Sequence, residues 1–164
     1  EYLAPPPELV QALPPALAAS LKGLATQTDP WFPQVHSVAL SLAVADHRNL
    51  DGPAWTAFVR EGNRRVFNGF GMRVLFAVAS PSQLVFAGRV KWNTLRKGTH
   101  IEAESTGPRS ALVKLHTPPR VFPVDYLPVL EAGFLAMLEL SRAEQPRVTR
   151  GAVTDTLVTF EAGW

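Results

Sequence analysis

The sequence predicts an α+β fold, in which N-terminal helices pack on a small antiparallel sheet built from two hairpins with an intervening helix. Two observations carry this prediction. Apolar residues recur at steps of three and four over roughly the first 95 residues, which is helical spacing. From Thr99 onward, short stretches alternate apolar and polar residues in the manner of half-buried strands. Helices and hairpins thus segregate along the chain, as they do in α+β proteins.

Composition sets the broad class. The chain has 164 residues, of which 46% are hydrophobic and 18% charged, so residues 8–164 are long enough to form a single globular domain behind a proline-rich arm at residues 1–7. The absence of Cys excludes disulfides, thiolate zinc sites, iron–sulfur clusters and Cys nucleophiles. No apolar run approaches the ~18 residues that span a bilayer, and no signal peptide opens the chain. We therefore expect a cytoplasmic protein.

Four helical segments are expected before the strands. Residues 8–25 form an amphipathic helix interrupted at Pro14-Pro15, and residues 35–43 form another, which starts after Asp29-Pro30. A phenylalanine-rich segment at 51–78 is a long helix or a helix pair, in which two glycines, at 69 and 71, mark a break or a close contact. Ser80-Pro81 is an N-cap followed by proline, and opens a helix that reaches Leu95 and stops at Lys97-Gly98.

The first hairpin joins 99–105 to 110–117 through a loop at 105–109 that contains Gly107-Pro108. Pairing Ile101 with Val113 places the apolar residues of both strands on one face, and pairs Ala103 with Ala111. The same register sets Lys114 opposite His100. A one-residue slip would bury carboxylates and is excluded.

Asp125 is predicted to cap the helix between the hairpins, which carries apolar residues from Leu127 to Leu138. Pro146 ends that pattern. Residues 147–151 and 156–160 then form the second hairpin around residues 153–155.

Charge is concentrated in the middle of the chain. Residues 57–100 carry eight basic side chains and one acidic, whereas residues 1–56 carry two basic and five acidic. This segment either docks an anionic partner or is neutralised by the flanking acidic segments. The candidate anionic-partner surface comprises Arg60, Arg64, Arg65, Arg89, Lys91, Arg96 and Lys97. Trp92 lies among these cations and could stack on a nucleic-acid base, although no nucleic-acid-binding signature accompanies it.

The phenylalanine-rich segment is apolar on more than one side, so it must be buried on more than one side. It is either a central core helix or a helix whose second face meets a dimer partner or a bound apolar molecule. The candidate self-association residues are Phe67, Phe70, Val74 and Val78.

No catalytic, cofactor-binding or metal-binding residues are assigned. Adjacent pairs such as His36 and Ser37 point about 100° apart on a helix, so they do not form a nucleophile–base pair. His100, Glu102 and Glu104 share one strand face, but a lysine placed across from them would repel a metal ion. The chain is therefore expected not to be an enzyme.

One family resemblance accompanies this pattern. Over about residues 30–164 the chain has Trp31-Phe32-Pro33, the Ser80-Pro81 helix, a hairpin, a helix carrying Gly133-Phe134-Leu135, and a final hairpin ending in Phe160 and Trp164. It resembles the myxobacterial paralogous domain family of unknown function, which is related to haem-NO-binding, vinyl-4-reductase and TRAPP-subunit domains. The resemblance implies a helical layer against a small antiparallel sheet, and regulation through dimers or a small bound ligand.

Two departures from those relatives limit the transfer. Haem-NO sensors use a proximal His with a Tyr-x-Ser-x-Arg motif, which neither Tyr2 nor Tyr126 begins, and zinc-holding vinyl-4-reductase domains use Cys. Neither haem nor zinc is therefore expected.

The function expected from the sequence is that of a regulatory or adaptor domain in cytoplasmic signalling. It would act as a homodimer that binds another signalling protein. The alternatives are a sensor or carrier of an apolar small molecule, and a module that binds phosphate or nucleic acid.

Overall fold

The structure is a computed structural model that describes residues 7–24, 33–67, 76 and 78–164. The chain divides into two units, Glu1–Trp55 and Thr56–Trp164. Except for Pro7, the predicted arm at 1–7 lies outside the described residues, as do the predicted helix start at Asp29-Pro30 and the glycines at 69 and 71.

The described part of the N-terminal unit is helical. Helix α1 spans Pro7–Ala12, α2 spans Pro15–Leu24 and α3 spans Gln34–His47. The break between α1 and α2 falls at the predicted proline pair, since proline cannot donate the backbone hydrogen bond that a continuing helix needs. Leu9, Leu13 and Leu17 are buried and pack against the apolar face of α3.

Helix α4 spans Gly52–Phe67 and begins as predicted, because the Asp51 side chain accepts a hydrogen bond from the Ala54 backbone N–H at 2.9 Å. Helix α5 spans Pro81–Leu95. Its first turn is a full capping box: the Ser80 hydroxyl accepts from the Gln83 backbone N–H, and the Gln83 side chain accepts from the Ser80 N–H. The chain leaves α5 through Gly98, whose positive φ of 81° suits glycine.

The sheet contains four antiparallel strands, which confirms the predicted α+β class and the two hairpins. Strand β1 spans His100–Gly107, β2 Ser110–His116, β3 Arg147–Val153 and β4 Leu157–Gly163. Their order across the sheet is β1-β2-β4-β3, so β2 and β4 are central.

The predicted register of the first hairpin is wrong by two residues. Ile101 faces Leu115 and Ala103 faces Val113, while Lys114 faces Glu102 rather than His100. The strands extend further than predicted, to a two-residue turn with an irregularity between Ser105 and Gly107. Because side chains alternate with a period of two, this shift leaves the predicted apolar face unchanged.

The helix between the hairpins, α6, spans Leu127–Glu139. Asp125 does not cap it, which corrects the sequence prediction. Residues Val124–Tyr126 instead form a turn of 3-10 helix that leads directly into α6, and the residue before α6 is Tyr126, with no side-chain cap bond.

Both later helices lie on the apolar face of the sheet. Helix α5 packs on β1 and β2, and α6 packs on β3 and β4. The largest fully buried side chains of this layer are Leu115, Leu127, Leu138 and Phe160. The ring of Phe134 on α6 meets that of Phe160 at 5.2 Å between centroids, in a tilted arrangement.

Candidate functional site

A cavity of about 370 Å³ lies within the C-terminal unit, bounded by α4, α5, α6 and the sheet. Its volume falls in the range of small-molecule sites. On the apolar face of the sheet, α5 covers β1 and β2 while α6 covers β3 and β4, and residues of both helices line the cavity. The described side chains that face it from the sheet are Ile101, Val113, Val148, Phe160 and Ala162.

Two glycines within the helices line this cavity, Gly88 on α5 and Gly133 on α6. A Cβ at Gly88 would lie 3.5 Å from the Met137 sulfur, and a Cβ at Gly133 would lie 3.6 Å from the Asn63 side-chain nitrogen. Both distances are ordinary van der Waals contacts, so neither glycine is required to relieve a clash. The missing side chain of Gly88 leaves space towards Met137 of α6, and that of Gly133 leaves space towards Asn63 of α4.

Aromatic and sulfur-containing side chains occupy another part of the lining. Phe67, at the end of α4, packs on Phe76 with 5.7 Å between ring centroids, and both residues join a cluster with Ala79, Leu84 and Met137. This part of the cavity is apolar throughout its described residues.

A third part of the cavity lining contains one cation, Arg96, and two aromatic residues, Trp92 and Tyr126. The guanidinium of Arg96 lies over the Trp92 ring, 4.3 Å from its centroid. The Trp92 indole N–H donates to the Thr99 hydroxyl at 3.0 Å, which fixes the ring, and Thr99 is buried. Tyr126 is buried as well and stacks on Phe122. Burial lowers the pKa of Arg96, and neighbouring Tyr126 acts in the opposite direction.

The charged residues among the described lining are all basic: Arg89, Lys91 and Arg96, with no carboxylate. Sequence reasoning placed these three in the candidate anionic-partner surface but did not predict a cavity beside them. The structure brings Arg96, the residue just after α5, over the ring of Trp92, four residues earlier in the chain.

The other four predicted cations lie elsewhere. Arg60 and Arg64 both pair with Glu139 at the end of α6, a carboxylate whose side chain is only 10% exposed. Arg65 pairs with Glu61 on its own helix. Lys97 is exposed and does not line the cavity. The structure thus separates the seven residues, and their binding of an anionic partner stays a prediction.

The candidate self-association residues are only partly described. Phe67 is half-buried against the cavity cluster, whereas Val78 is 70% exposed. Phe70 and Val74 lie outside the described residues. Self-association through these positions stays a prediction.

The polar strand face points away from the cavity and carries its own charge pairs. Lys114 pairs with Glu104, and the His116 ring nitrogen lies 3.5 Å from a Glu102 oxygen. The hydrogen bond from Glu104 raises the pKa of Lys114. Within the described residues, no group of three or more His, Asp or Glu side chains is placed to hold a metal ion.

Comparison with known proteins identifies similar folds only. No family model matches the chain, and no curated protein matches it. Among solved structures, a protein described for haem redox potential modulated by protein-induced porphyrin distortion is 12% identical and has a TM-score of 0.56, with 96% of this chain and 94% of that chain covered. A member of the H-NOX family in which haem distortion is probed is 10% identical and has a TM-score of 0.56, with 95% of this chain and 90% of that chain covered. An oxygen-binding H-NOX domain related to soluble guanylate cyclases, in its oxygen complex, is 14% identical and has a TM-score of 0.51, with 95% of this chain and 89% of that chain covered.

The cavity residues do not fit a histidine- or thiolate-ligated haem. Haem iron takes axial ligands from His, Cys, Met or Tyr. The chain has no Cys, and none of its four histidines (His36 and His47 on α3, His100 and His116 on the polar strand face) is among the described residues that line the cavity. Of the Met and Tyr residues that the structure describes, Met137 is packed in the apolar cluster and Tyr126 is stacked on Phe122. Met72 and Tyr2 lie outside the described residues. The chain therefore shares the fold of the H-NOX domains, and the described lining of its cavity supplies no histidine or thiolate ligand for haem iron.

Proposed function

We propose that this protein is a regulatory sensor domain that binds an apolar small molecule in the cavity between α5 and α6, and that acts through binding rather than catalysis. The observation that carries the proposal is a cavity of ligand size whose walls include two helical glycines. The fold similarity to an oxygen-binding H-NOX domain agrees with a sensor role.

The energetics of the two glycines favour a binding role over a purely structural one. Glycine in a helix interior costs about 1 kcal/mol relative to alanine. Alanine would fit at Gly88 and at Gly133 without a clash, because the nearest atoms to an added Cβ lie 3.5 and 3.6 Å away. Selection for stability alone would favour alanine at both sites. Keeping the cavity open for an occupant accounts for the glycines.

The route from ligand to partner would run through α6. A molecule held between α5 and α6 sets their separation, and α6 is joined to α4 by the pairs of Arg60 and Arg64 with Glu139. Occupancy would then change the position or order of α4, and with it the surface that a signalling partner meets. Among the described helices, none is both long and apolar enough to cross a membrane.

The experiment is a titration with N-phenylnaphthylamine, an uncharged apolar fluorophore, followed by its fluorescence. We expect saturable binding of one probe per chain to the wild-type protein. A series Gly88→Ala, Gly88→Val and Gly88→Leu should weaken binding progressively, because each larger side chain extends toward Met137 and fills the cavity. Gly52→Leu is the control, since Gly52 is also helical but has open space around it.

Circular dichroism of each variant establishes that it is folded. Native mass spectrometry of the purified protein adds an independent test, because a retained occupant would appear as extra mass that Gly88→Leu loses. Non-saturable binding, or equal binding by all the folded Gly88 variants, would contradict the proposal.

Self-association is a second candidate function, favoured by the exposure of Val66 (54%) and Val78 (70%). Native mass spectrometry at several concentrations should then show a dimer that Val78→Glu converts to a monomer. A wild-type monomer at every concentration would contradict this function while leaving the sensor proposal intact.

A further inference from the structure

We infer that the ligand of the cavity is an amphiphilic anion, with an apolar body between α5 and α6 and a single anionic head bound by Arg96. This inference rests on the proposed ligand-binding function and names the chemical class of the ligand.

The first argument is charge complementarity. The charged groups among the described lining residues are three cations on and just after α5, and no carboxylate is among them. A site of one sign raises the local concentration of ions of the opposite sign. An apolar ligand that also carries an anionic group would gain attraction to these cations beyond the burial of its apolar part, whereas a cationic ligand would be repelled.

The second argument is that Arg96 is already held in position. Its guanidinium stacks on Trp92, whose own orientation is set by the hydrogen bond to buried Thr99. Stacking uses the face of the guanidinium, whereas hydrogen bonds to a carboxylate lie in its plane. The two interactions are compatible. Because the Arg96 side chain is already ordered, little conformational entropy would be lost when an anion binds.

The third argument is the low polarity around this cation. Trp92 and buried Tyr126 flank it, and burial lowers the pKa of Arg96. The attraction between an anion and this guanidinium is stronger in such surroundings than at an exposed arginine. Arg89 and Lys91 also line the cavity, but Lys91 is exposed and Arg89 lies over its neighbour Phe86. Arg96 is therefore the residue to which we assign the head group.

The test compares two probes that differ by one anionic group: N-phenylnaphthylamine, which is neutral, and anilinonaphthalene sulfonate, which carries a sulfonate on the same skeleton. We expect the wild-type protein to bind the sulfonate about tenfold more tightly or better, as expected for a hydrogen bond between charged groups. Arg96→Met should remove this preference and leave the affinity for the neutral probe within about twofold. Arg96→Lys should retain part of the preference, because it keeps the charge but loses the planar donor pair.

Lys97→Met is the matched control, since it removes an adjacent positive charge that does not line the cavity. It should leave both affinities within about twofold. Equal binding of both probes to the wild-type protein would overturn the inference, as would a preference that survives Arg96→Met or that Arg89→Met removes instead. In each of these cases saturable binding of the neutral probe would still support the proposed function, whereas failure of both probes to bind would remove the proposed function itself.

Discussion

The side chain of Asn93 provides a sharp test of how α5 is joined to the sheet. Its amide nitrogen donates to the Ile101 carbonyl at 2.9 Å, and its amide oxygen accepts from the Ile101 backbone N–H at 2.8 Å. Strand β1 lies at the edge of the sheet, where backbone groups lack a strand partner. Asn93 therefore takes the place of a neighbouring strand at this residue.

Replacing Asn93 with alanine leaves both Ile101 groups without this partner, and Ile101 is only 2% exposed. A buried group left unsatisfied costs about 1–3 kcal/mol, so two such groups predict a loss of about 2–4 kcal/mol once some water entry is allowed. This loss is a large part of the free energy of unfolding of a typical protein, which is about 5–15 kcal/mol. For a chain of this size the melting temperature should fall by about 5–15 °C.

Urea unfolding followed by tryptophan fluorescence measures the free energy of unfolding, and hydrogen exchange measures the protection of the Ile101 amide. Thr94→Ala is the matched control, because Thr94 is the next residue along α5, is exposed, and bonds only within its own helix at the Val90 carbonyl. Asn93→Ala should lower the free energy of unfolding far more than Thr94→Ala does. It should also accelerate hydrogen exchange of the Ile101 amide about tenfold or more. Equal costs with an unchanged Ile101 exchange rate would refute the edge-strand role of Asn93.

Three further predictions follow from other contacts. Gly133→Ala should raise the free energy of unfolding by up to about 1 kcal/mol while weakening binding of the neutral probe, because it adds helix propensity but reduces the cavity; a variant that is less stable than the wild type would show that the site lacks room for a methyl group. Glu139→Gln should destabilise the protein by about 1–2 kcal/mol, and by less in high salt, because it removes the charge that two arginines share; a salt-independent loss would point to packing instead. The hydrogen bond from Lys114 to Glu104 raises the lysine pKa in the folded protein above its unfolded value, so its stabilising effect is present at neutral pH and is lost as pH rises through the folded pKa. The stability difference between wild type and Glu104→Gln should accordingly disappear in strongly alkaline urea titrations, and a difference that persists there would exclude this pair as its source.

Local signals explain what the sequence predicted correctly. The start of α5 depends on Ser80 and Gln83, three residues apart, and its end on Gly98, so both could be located from nearby residues alone. The apolar face of the first hairpin followed from alternation, which holds for any even shift in register. The register itself depends on turn geometry, and the extra pairing up to Gly107 left no mark in the apolar pattern.

The site depends on distances that a linear pattern does not contain. Sequence reasoning identified an apolar ligand beside the phenylalanine-rich segment as an alternative, yet the cavity is lined jointly by residues of α4, α5, α6 and the sheet, which lie far apart in the chain. Arg60 and Arg64 were assigned to an open basic surface, but the carboxylate they meet is Glu139, more than 70 residues away in the chain. Contacts of this range follow from tertiary packing rather than from periodicity.

The strand order also determines when the protein can fold during synthesis. Strand β4 lies between β2 and β3, and it supplies Phe160 at the base of the cavity. A nascent chain that has emerged only as far as residue 150 therefore has a β1–β2 hairpin in which one edge of β2 is unpaired. Such an edge pairs readily with other chains, so the interval before residues 157–163 emerge is the period of greatest aggregation risk. Slow translation between β2 and β4 should lower the soluble yield, whereas the same delay placed upstream of β1 should not.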